Sequence, residues 1–140
     1  RALAKRVGFC DGPNGSVSSA YRALARSSPA FAGLRPWLGR VNGSMCGDSP
    51  FGLWSINSVE LRALAPWVNF SEKNDAVVPL SGCPAPAGAK LSRDPRGEHY
   101  LASVNHYDLT CRHGDGWWGK RRKPCTWYRS MAERAAAAAR

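Results

Sequence analysis

The chain has 140 residues, of which 44% are hydrophobic, and it carries 20 Lys and Arg against 10 Asp and Glu. That length suits one domain with a hydrophobic core, and no apolar run approaches the ~20 residues of a membrane-spanning helix. The net charge of +10 favours acidic partners such as nucleic acid, anionic lipid or an acidic protein surface. No initiator Met or signal-like segment is present, so we expect the chain to be part of a longer polypeptide.

The first third of the chain predicts a strand followed by a helix. A strand is expected near residues 6–10, and a dense turn signal then leads into a helix near 17–26 with an apolar stripe. Prolines at both ends of residues 29–36 predict a break in helical structure. Residues 42–56 are rich in Gly and Ser and predict irregular chain.

The rest of the chain predicts further alternation of helix and strand. A helix is expected near 58–65, capped by Asn57 or Ser58 and ended by Pro66. Strands are expected near 67–71 and 98–104, and the closing helix is expected near 127–137. Such alternation favours a parallel or mostly parallel α/β layer. We detect no internal repeat and no inter-domain linker, so a single domain over residues 1–140 is predicted.

Two short motifs place chemistry-bearing side chains directly beside β-type apolar runs. The first is Asn-Asp-Ala-Val-Val-Pro at 74–79, which contains Asp75, and the second is Val-Asn-His-Tyr-Asp at 104–108, which contains His106. An Asp at one strand end and a His at the next is the order in which α/β-hydrolases present the last two members of a Ser, Asp and His triad.

Together these segments resemble the C-terminal half of serine lipases and esterases of the α/β-hydrolase fold, over most of residues 5–110. Residues 13–16 are similar to a turn that many lipases carry after their sixth strand. Residues 74–79 are similar to the loop that bears the triad acid, and 105–108 to the loop that bears the triad histidine. One departure is Ala76, where the family commonly has Gly, and an alanine there predicts a stiffer loop or the loss of a positive φ.

The resemblance implies a fold and a site. The fold would be a partial α/β-hydrolase-like, mostly parallel sheet with flanking helices, in which residues 29–65 form a cap-like segment. His106 would take the proton from a serine hydroxyl, and Asp75 would fix the imidazole tautomer and stabilise the imidazolium.

Each site residue also has a plainer interpretation. His106 could be held by a loop hydrogen bond, and Asp75 could be a turn residue that caps its own loop. His99 inside a predicted strand and His113 in a Gly-rich loop compete for the role of the base. Asp108 is interpreted as a local hydrogen-bond partner rather than the triad acid.

The nucleophile limits the functional prediction, because no Gly-x-Ser-x-Gly occurs in the sequence and Ser16 is not at a strand-to-helix elbow. The preferred hypothesis is a lipase-like fragment that serves as a non-catalytic accessory or structural subunit of a larger assembly of protein subunits. The alternative is the C-terminal part of an active serine ester hydrolase. A third hypothesis is a small basic RNA-binding protein. No cofactor is expected.

Residues 105–125 predict a long loop that is rich in Trp and basic residues. Aromatic and Arg residues concentrate at binding hot spots, so the sequence predicts a partner contact there. The alternatives are that these Trp side chains pack locally under the loop and that the basic run is a solvated surface. The predicted contact residues are Trp117, Trp118, Lys120, Arg121, Arg122 and Lys123.

Five cysteines and three Asn-x-Ser sequons favour a secretory, extracellular or organellar-lumen location. Cys111 and Cys125 bracket a loop that a disulfide could close, which is worth about 3 kcal/mol in the chain-entropy model. Reduced, buried thiols are the alternative. A zinc site from Cys111, His113 and Cys125 lacks a clear fourth ligand, so no metal is expected.

Overall fold

The computed structural model describes residues 28–68, 71–83, 85–86 and 88–140, with only the backbone at positions 35, 64 and 66–68. The strand predicted at 6–10 and the helix predicted at 17–26 therefore lie outside the described residues.

Helix α1 spans Pro29–Leu38, where the sequence predicted a break, so that prediction was wrong. The Oγ atom of Ser28 accepts a hydrogen bond from the backbone N–H of Phe31 at 3.0 Å, which caps the first turn. Proline suits the first position of a helix because its fixed φ is already helical and its missing N–H would have no helical partner there. Ser followed by Pro was therefore a helix start signal rather than a breaker.

Two short strands form the sheet of the described region. Strand β1 spans Ser44–Gly47 and strand β2 spans His99–Ala102, and they pair in parallel with Ser44 opposite His99. The prediction of a strand near 98–104 is confirmed, as is a mixed α/β arrangement with a parallel sheet. The prediction that 42–56 is irregular throughout was wrong, because residues 44–47 of the predicted cap-like segment belong to the sheet.

Helix α2 spans Ile56–Val68 and continues past Pro66, so the prediction that this proline ends the helix was wrong. The predicted strand at 67–71 was also wrong in its first two residues, which are helical. A proline removes one helical hydrogen bond without preventing the residues after it from keeping helical angles. At the other end, the Oγ atom of Ser55, rather than Asn57 or Ser58, accepts the backbone N–H of Ser58 at 3.1 Å.

Helix α3 spans Pro124–Ala138 and confirms the predicted closing helix. Asp115 caps it: its Oδ1 accepts the backbone N–H of Cys125 at 2.8 Å, and its Oδ2 accepts the Thr126 hydroxyl at 2.6 Å. The helix buries Trp127 against the sheet. The core cluster contains Leu53, Tyr100, Ala102, Val104 and Trp127.

Two disulfides hold the loops to these elements. The predicted Cys111–Cys125 bond is confirmed, and a second bond joins Cys46 in β1 to Cys83. The zinc alternative was wrong, because the sulfur atoms of Cys111 and Cys125 are bonded to each other. Within the described ranges, no helix combines the length and apolarity required to cross a membrane.

Candidate active site

Asp75 is fixed in its loop by the backbone that surrounds it. Its Oδ1 atom accepts hydrogen bonds from the backbone N–H groups of Val77 at 2.9 Å and Val78 at 2.6 Å, and its own N–H donates to the Val78 carbonyl at 3.2 Å. The side chain of Asn74 accepts the N–H of Ala76 at 3.0 Å. One oxygen of the carboxylate therefore accepts hydrogen bonds from its own turn, and the other oxygen is left for a partner outside the turn.

Ala76 adopts a positive φ of 78° and is fully buried. Of the two effects predicted for alanine, the loss of a positive φ was therefore wrong. An L-residue in this region carries a steric cost of roughly 1–2 kcal/mol. The surrounding turn, with both its side-chain and backbone hydrogen bonds, overrides that local preference.

His106 meets the second oxygen of Asp75. Its Nδ1 atom lies 2.8 Å from Asp75 Oδ2, and its backbone N–H donates to the Asp75 carbonyl at 2.9 Å. The His106 side chain is 44% exposed, whereas that of Asp75 is 4% exposed. Among the described residues, the Nε2 atom of His106 has no hydrogen-bond partner, so this atom is available for a reacting group.

The Asp75 contact also sets the proton affinity of the ring. The hydrogen bond to Asp75 raises the pKa of His106 above its usual 6.5; partial burial opposes this, and the Asp75 charge adds to the rise. A paired carboxylate has this effect because it stabilises the imidazolium form. The pair thus combines a fixed tautomer with a more basic ring.

The pair lies at the carboxyl-terminal edge of the parallel sheet. Gly47 is the last residue of β1, and a Cβ atom there would come within 2.6 Å of the Asp75 Cβ and 2.7 Å of the Val104 carbonyl. His106 follows β2 by four residues. Only glycine permits this close approach, which brings the acid loop against the end of the sheet where open α/β folds form their sites.

A second Asp and His pair lies beside the first. Asp108 is fully buried; its Oδ1 lies 2.8 Å from His113 Nδ1, and its Oδ2 accepts the Leu53 N–H at 2.7 Å. Asn105 accepts the Asp108 N–H at 2.9 Å and donates to the Phe51 carbonyl at 3.0 Å. Asp108 therefore bonds locally to Asn105 and His113, as the sequence indicated, and it also holds Leu53, which is 55 residues away in the chain.

Two members of this network were not identified from the sequence. Ser58 is fully buried; it donates to the Leu53 carbonyl and accepts from Asn105 Nδ2 at 3.1 Å. Gly52 has a φ of 62°, and a Cβ atom there would overlap Asp108 Oδ2. The contacts of Ser58 with Asn105 and of Gly52 with Asp108 join residues about 50 positions apart in the chain, so no local pattern could have indicated them.

The other competing histidine has a structural contact. His99 lies in β2, and its Nδ1 atom is 3.0 Å from the Ser44 hydroxyl on β1. That pair joins the two strands through their side chains.

The structure also places the residues predicted to contact a partner. Trp117 and Trp118 are 91% and 79% exposed, so the alternative in which they pack under the Cys111–Cys125 loop was wrong. Lys120, Arg121 and Arg122 are exposed as well, whereas Lys123 is half-buried and donates from Nζ to the Gly116 carbonyl at 2.6 Å.

No family model, no curated protein and no solved structure matches the chain. The resemblance to lipases and esterases therefore rests on the short motifs quoted above.

Proposed function

We propose that Asp75 and His106 are the acid and the base of a serine ester hydrolase site. The observation that supports this most directly is the 2.8 Å contact between Asp75 Oδ2 and His106 Nδ1. A buried carboxylate that orients a half-exposed imidazole is the arrangement that a triad requires of these two members.

The dyad would act by general base and then general acid catalysis. His106 Nε2 takes the proton of a serine hydroxyl while the oxygen attacks the ester carbonyl, and the imidazolium then donates that proton to the leaving alcohol. Water repeats the sequence on the acyl-enzyme. Asp75 accepts a hydrogen bond from the His106 Nδ1–H throughout, and its charge stabilises the imidazolium.

Exposed apolar side chains in a segment that bonds to the His106 loop favour an acyl substrate. Trp54 and Ile56 are 85% and 81% exposed. Their segment is held next to His106, because Asn105 donates to the Phe51 carbonyl and Asp108 accepts the Leu53 N–H. Apolar side chains of this kind offer a favourable contact for a hydrocarbon chain.

The nucleophile must come from another segment. Among the described residues, no serine hydroxyl hydrogen-bonds to His106; Ser44 bonds to His99, and Ser58 bonds to the Leu53 carbonyl. We propose that the serine and its oxyanion hole belong to a segment outside the described residues, either of the same polypeptide or of a partner chain.

The test uses the full natural polypeptide with any subunit that copurifies. His106→Asn keeps a donor toward Asp75 but removes the base, so hydrolysis of p-nitrophenyl butyrate should fall by about 10²–10⁴-fold. His113→Asn is the matched control, because it makes the same change in the second Asp and His pair, and the rate should stay unchanged. A fluorophosphonate probe should label one serine in the wild-type protein.

A second candidate function is the non-catalytic accessory subunit of a larger protein assembly. It is favoured by the lack of a described serine at His106. If the full natural polypeptide neither hydrolyses acyl esters nor reacts with the fluorophosphonate, the catalytic proposal fails and this second function replaces it. Turnover by the 140-residue chain alone, with labelling of one of its own serines, would instead locate the nucleophile within it.

We also propose that the protein works in an oxidising compartment. Four cysteines are joined in two disulfides, and such bonds persist in secreted and lumenal proteins but are rare where thiols are kept reduced. Thiol labelling of the protein taken directly from its natural source should find these four residues unreactive until a reductant is added.

A further inference from the structure

The segment from 116 to 123, here termed the Trp–basic loop, has a fixed backbone. A hydrogen bond joins its two ends, from the Gly116 N–H to the Arg122 carbonyl at 2.6 Å. The hydroxyl of Tyr100, in the core, donates to the Lys120 carbonyl at 2.5 Å and accepts the Lys123 N–H at 3.0 Å. The Cys111–Cys125 disulfide encloses the whole segment. The loop is therefore ordered before it meets any partner.

The side chains of this loop nevertheless face solvent. Trp117 and Trp118 are 91% and 79% exposed, and their rings contact each other edge to face, with centroids 6.3 Å apart. Neither ring therefore contributes to the core. Two adjacent exposed Trp side chains on a fixed backbone indicate a surface that another body covers.

The charge of the loop is nearly unpaired. Lys120 lies 3.9 Å from Asp94, but both side chains are largely exposed, so this contact is weak. Arg121 and Arg122 have no carboxylate partner within the described ranges. An open cavity of about 640 Å³ lies beside Trp118 and is lined in part by these three basic residues. The loop thus offers an aromatic pair next to a concentrated positive charge.

We propose that the Trp–basic loop docks on an anionic lipid surface. Trp is favoured at the boundary between hydrocarbon and water, because its ring is apolar and its N–H is polar. Clustered Lys and Arg side chains bind the negative potential of an anionic leaflet. Single-stranded nucleic acid is favoured less, because the planes of the two rings are inclined by 69° and do not form a continuous stacking platform. This inference does not depend on the proposed hydrolase chemistry.

The test is sedimentation of the oxidised 140-residue chain with vesicles of 70% phosphatidylcholine and 30% phosphatidylserine. We expect binding to these vesicles, much weaker binding to pure phosphatidylcholine, and quenching of Trp fluorescence by brominated lipid. The triple variant Lys120→Gln, Arg121→Gln, Arg122→Gln should bind about 10²-fold more weakly, since each basic residue near the surface contributes a factor of roughly five. The variant Trp117→Ser, Trp118→Ser should lose the quenching.

Matched controls separate the loop from the general positive charge. The triple variant Lys73→Gln, Lys90→Gln, Arg129→Gln removes three exposed charges elsewhere, and Trp37→Ser removes an exposed Trp of helix α1; both should bind as the wild type does. Equal binding to the two vesicle types, or equal losses in the loop and control variants, would overturn the proposal. So would loop-dependent binding of a single-stranded oligonucleotide in the absence of vesicle binding, which would assign the loop to nucleic acid.

Discussion

Asp75 contacts His106 through both its side chain and its backbone, so two hydrogen bonds fix their relative position. Replacing Asp75 by Asn keeps an oxygen for the N–H groups of Val77 and Val78 but removes the negative charge beside the His106 ring. Because the side-chain bond to Asp75 is the largest cause of the raised pKa of His106, Asp75→Asn should lower that pKa. Titration of the ring signals by NMR measures the change, and an unaltered midpoint would contradict the assignment.

The same pair should make stability depend on pH with a defined sign. A histidine whose pKa is raised by folding stabilises the native state fully below its unfolded pKa, about 6.5, and this contribution is lost as pH rises through the higher folded pKa. Asp75→Asn should therefore cost more unfolding free energy at pH 5.5 than at pH 9. Urea unfolding at the two pH values tests this, and a cost that is larger at pH 9 would show that charge pairing is not the cause.

Ala76 and Ala102 are both fully buried but differ in backbone conformation. Ala102 is in β2, where Ala→Gly loses a buried methyl group and restricts a more flexible residue, so we expect a loss of about 1–2 kcal/mol. At Ala76 the same losses are offset by release of the left-handed strain, about 1–2 kcal/mol. Ala76→Gly should thus be nearly neutral. Equal losses in the two variants, measured by urea unfolding, would mean that the positive φ of 78° carries no strain.

At the scale of elements, each disulfide serves a different loop. Cys46–Cys83 closes a 37-residue separation and joins β1 to the segment that follows Asp75, whereas Cys111–Cys125 closes 14 residues around the Trp–basic loop. Replacing each pair by Ala should cost about 4 and about 3 kcal/mol respectively in the chain-entropy model. The first double variant should broaden the NMR signals of His106, and the second should weaken vesicle binding. The reverse pairing of effects would contradict this division.

The sequence predicted those elements whose signals are local. Strand β2 lies in a β-type apolar run, and helix α3 contains a run of strong helix formers. Cys111 and Cys125 bracket a loop, and these positions indicated their disulfide. Helix α1 and strand β1 were missed because their prolines and glycines are ordinarily breakers, and tertiary contacts determine the outcome. Strand β1 ends in Gly47 because Asp75 packs against that position too closely for a Cβ atom. Asp75 is 28 residues away in the chain, so the local sequence does not indicate this contact.

In the candidate site, too, the sequence predicted only the residues that have a local signal. Asp75 and His106 were found because each lies in a short motif beside an apolar run. Asn105 holds the neighbouring loops through its bonds to Phe51 and Ser58, which are 54 and 47 positions away, and no local pattern indicates contacts of that range. The second disulfide was missed for the same reason, because Cys46 and Cys83 share no pattern that relates them.

At the scale of the whole molecule, the sheet has one edge that the described residues leave open. Strand β2 is covered on its outer side by Ser92, which forms an isolated parallel bridge with Tyr100. On the β2 side, the Ser44 N–H donates to the Glu98 carbonyl, and the N–H of Asp48, just after β1, donates to the Ala102 carbonyl. By the alternation of a strand, the N–H groups of Met45 and Gly47 point to the other side. No second strand lies beside that side within the described part of the chain.

The sequence predicts a strand near residues 6–10, which lies outside the described residues, and an uncovered strand edge invites pairing with such a strand. We therefore expect the amide hydrogens of Met45 and Gly47 to exchange with solvent as slowly as that of Cys46, which lies on the β2 side. Hydrogen exchange measured by NMR on the 140-residue chain tests this. Replacing Val7 by Pro should accelerate exchange at Met45 and Gly47 while Cys46 stays protected, because proline cannot donate a strand hydrogen bond. Fast exchange at Met45 and Gly47 in the unaltered chain would instead leave this edge free to pair with another chain.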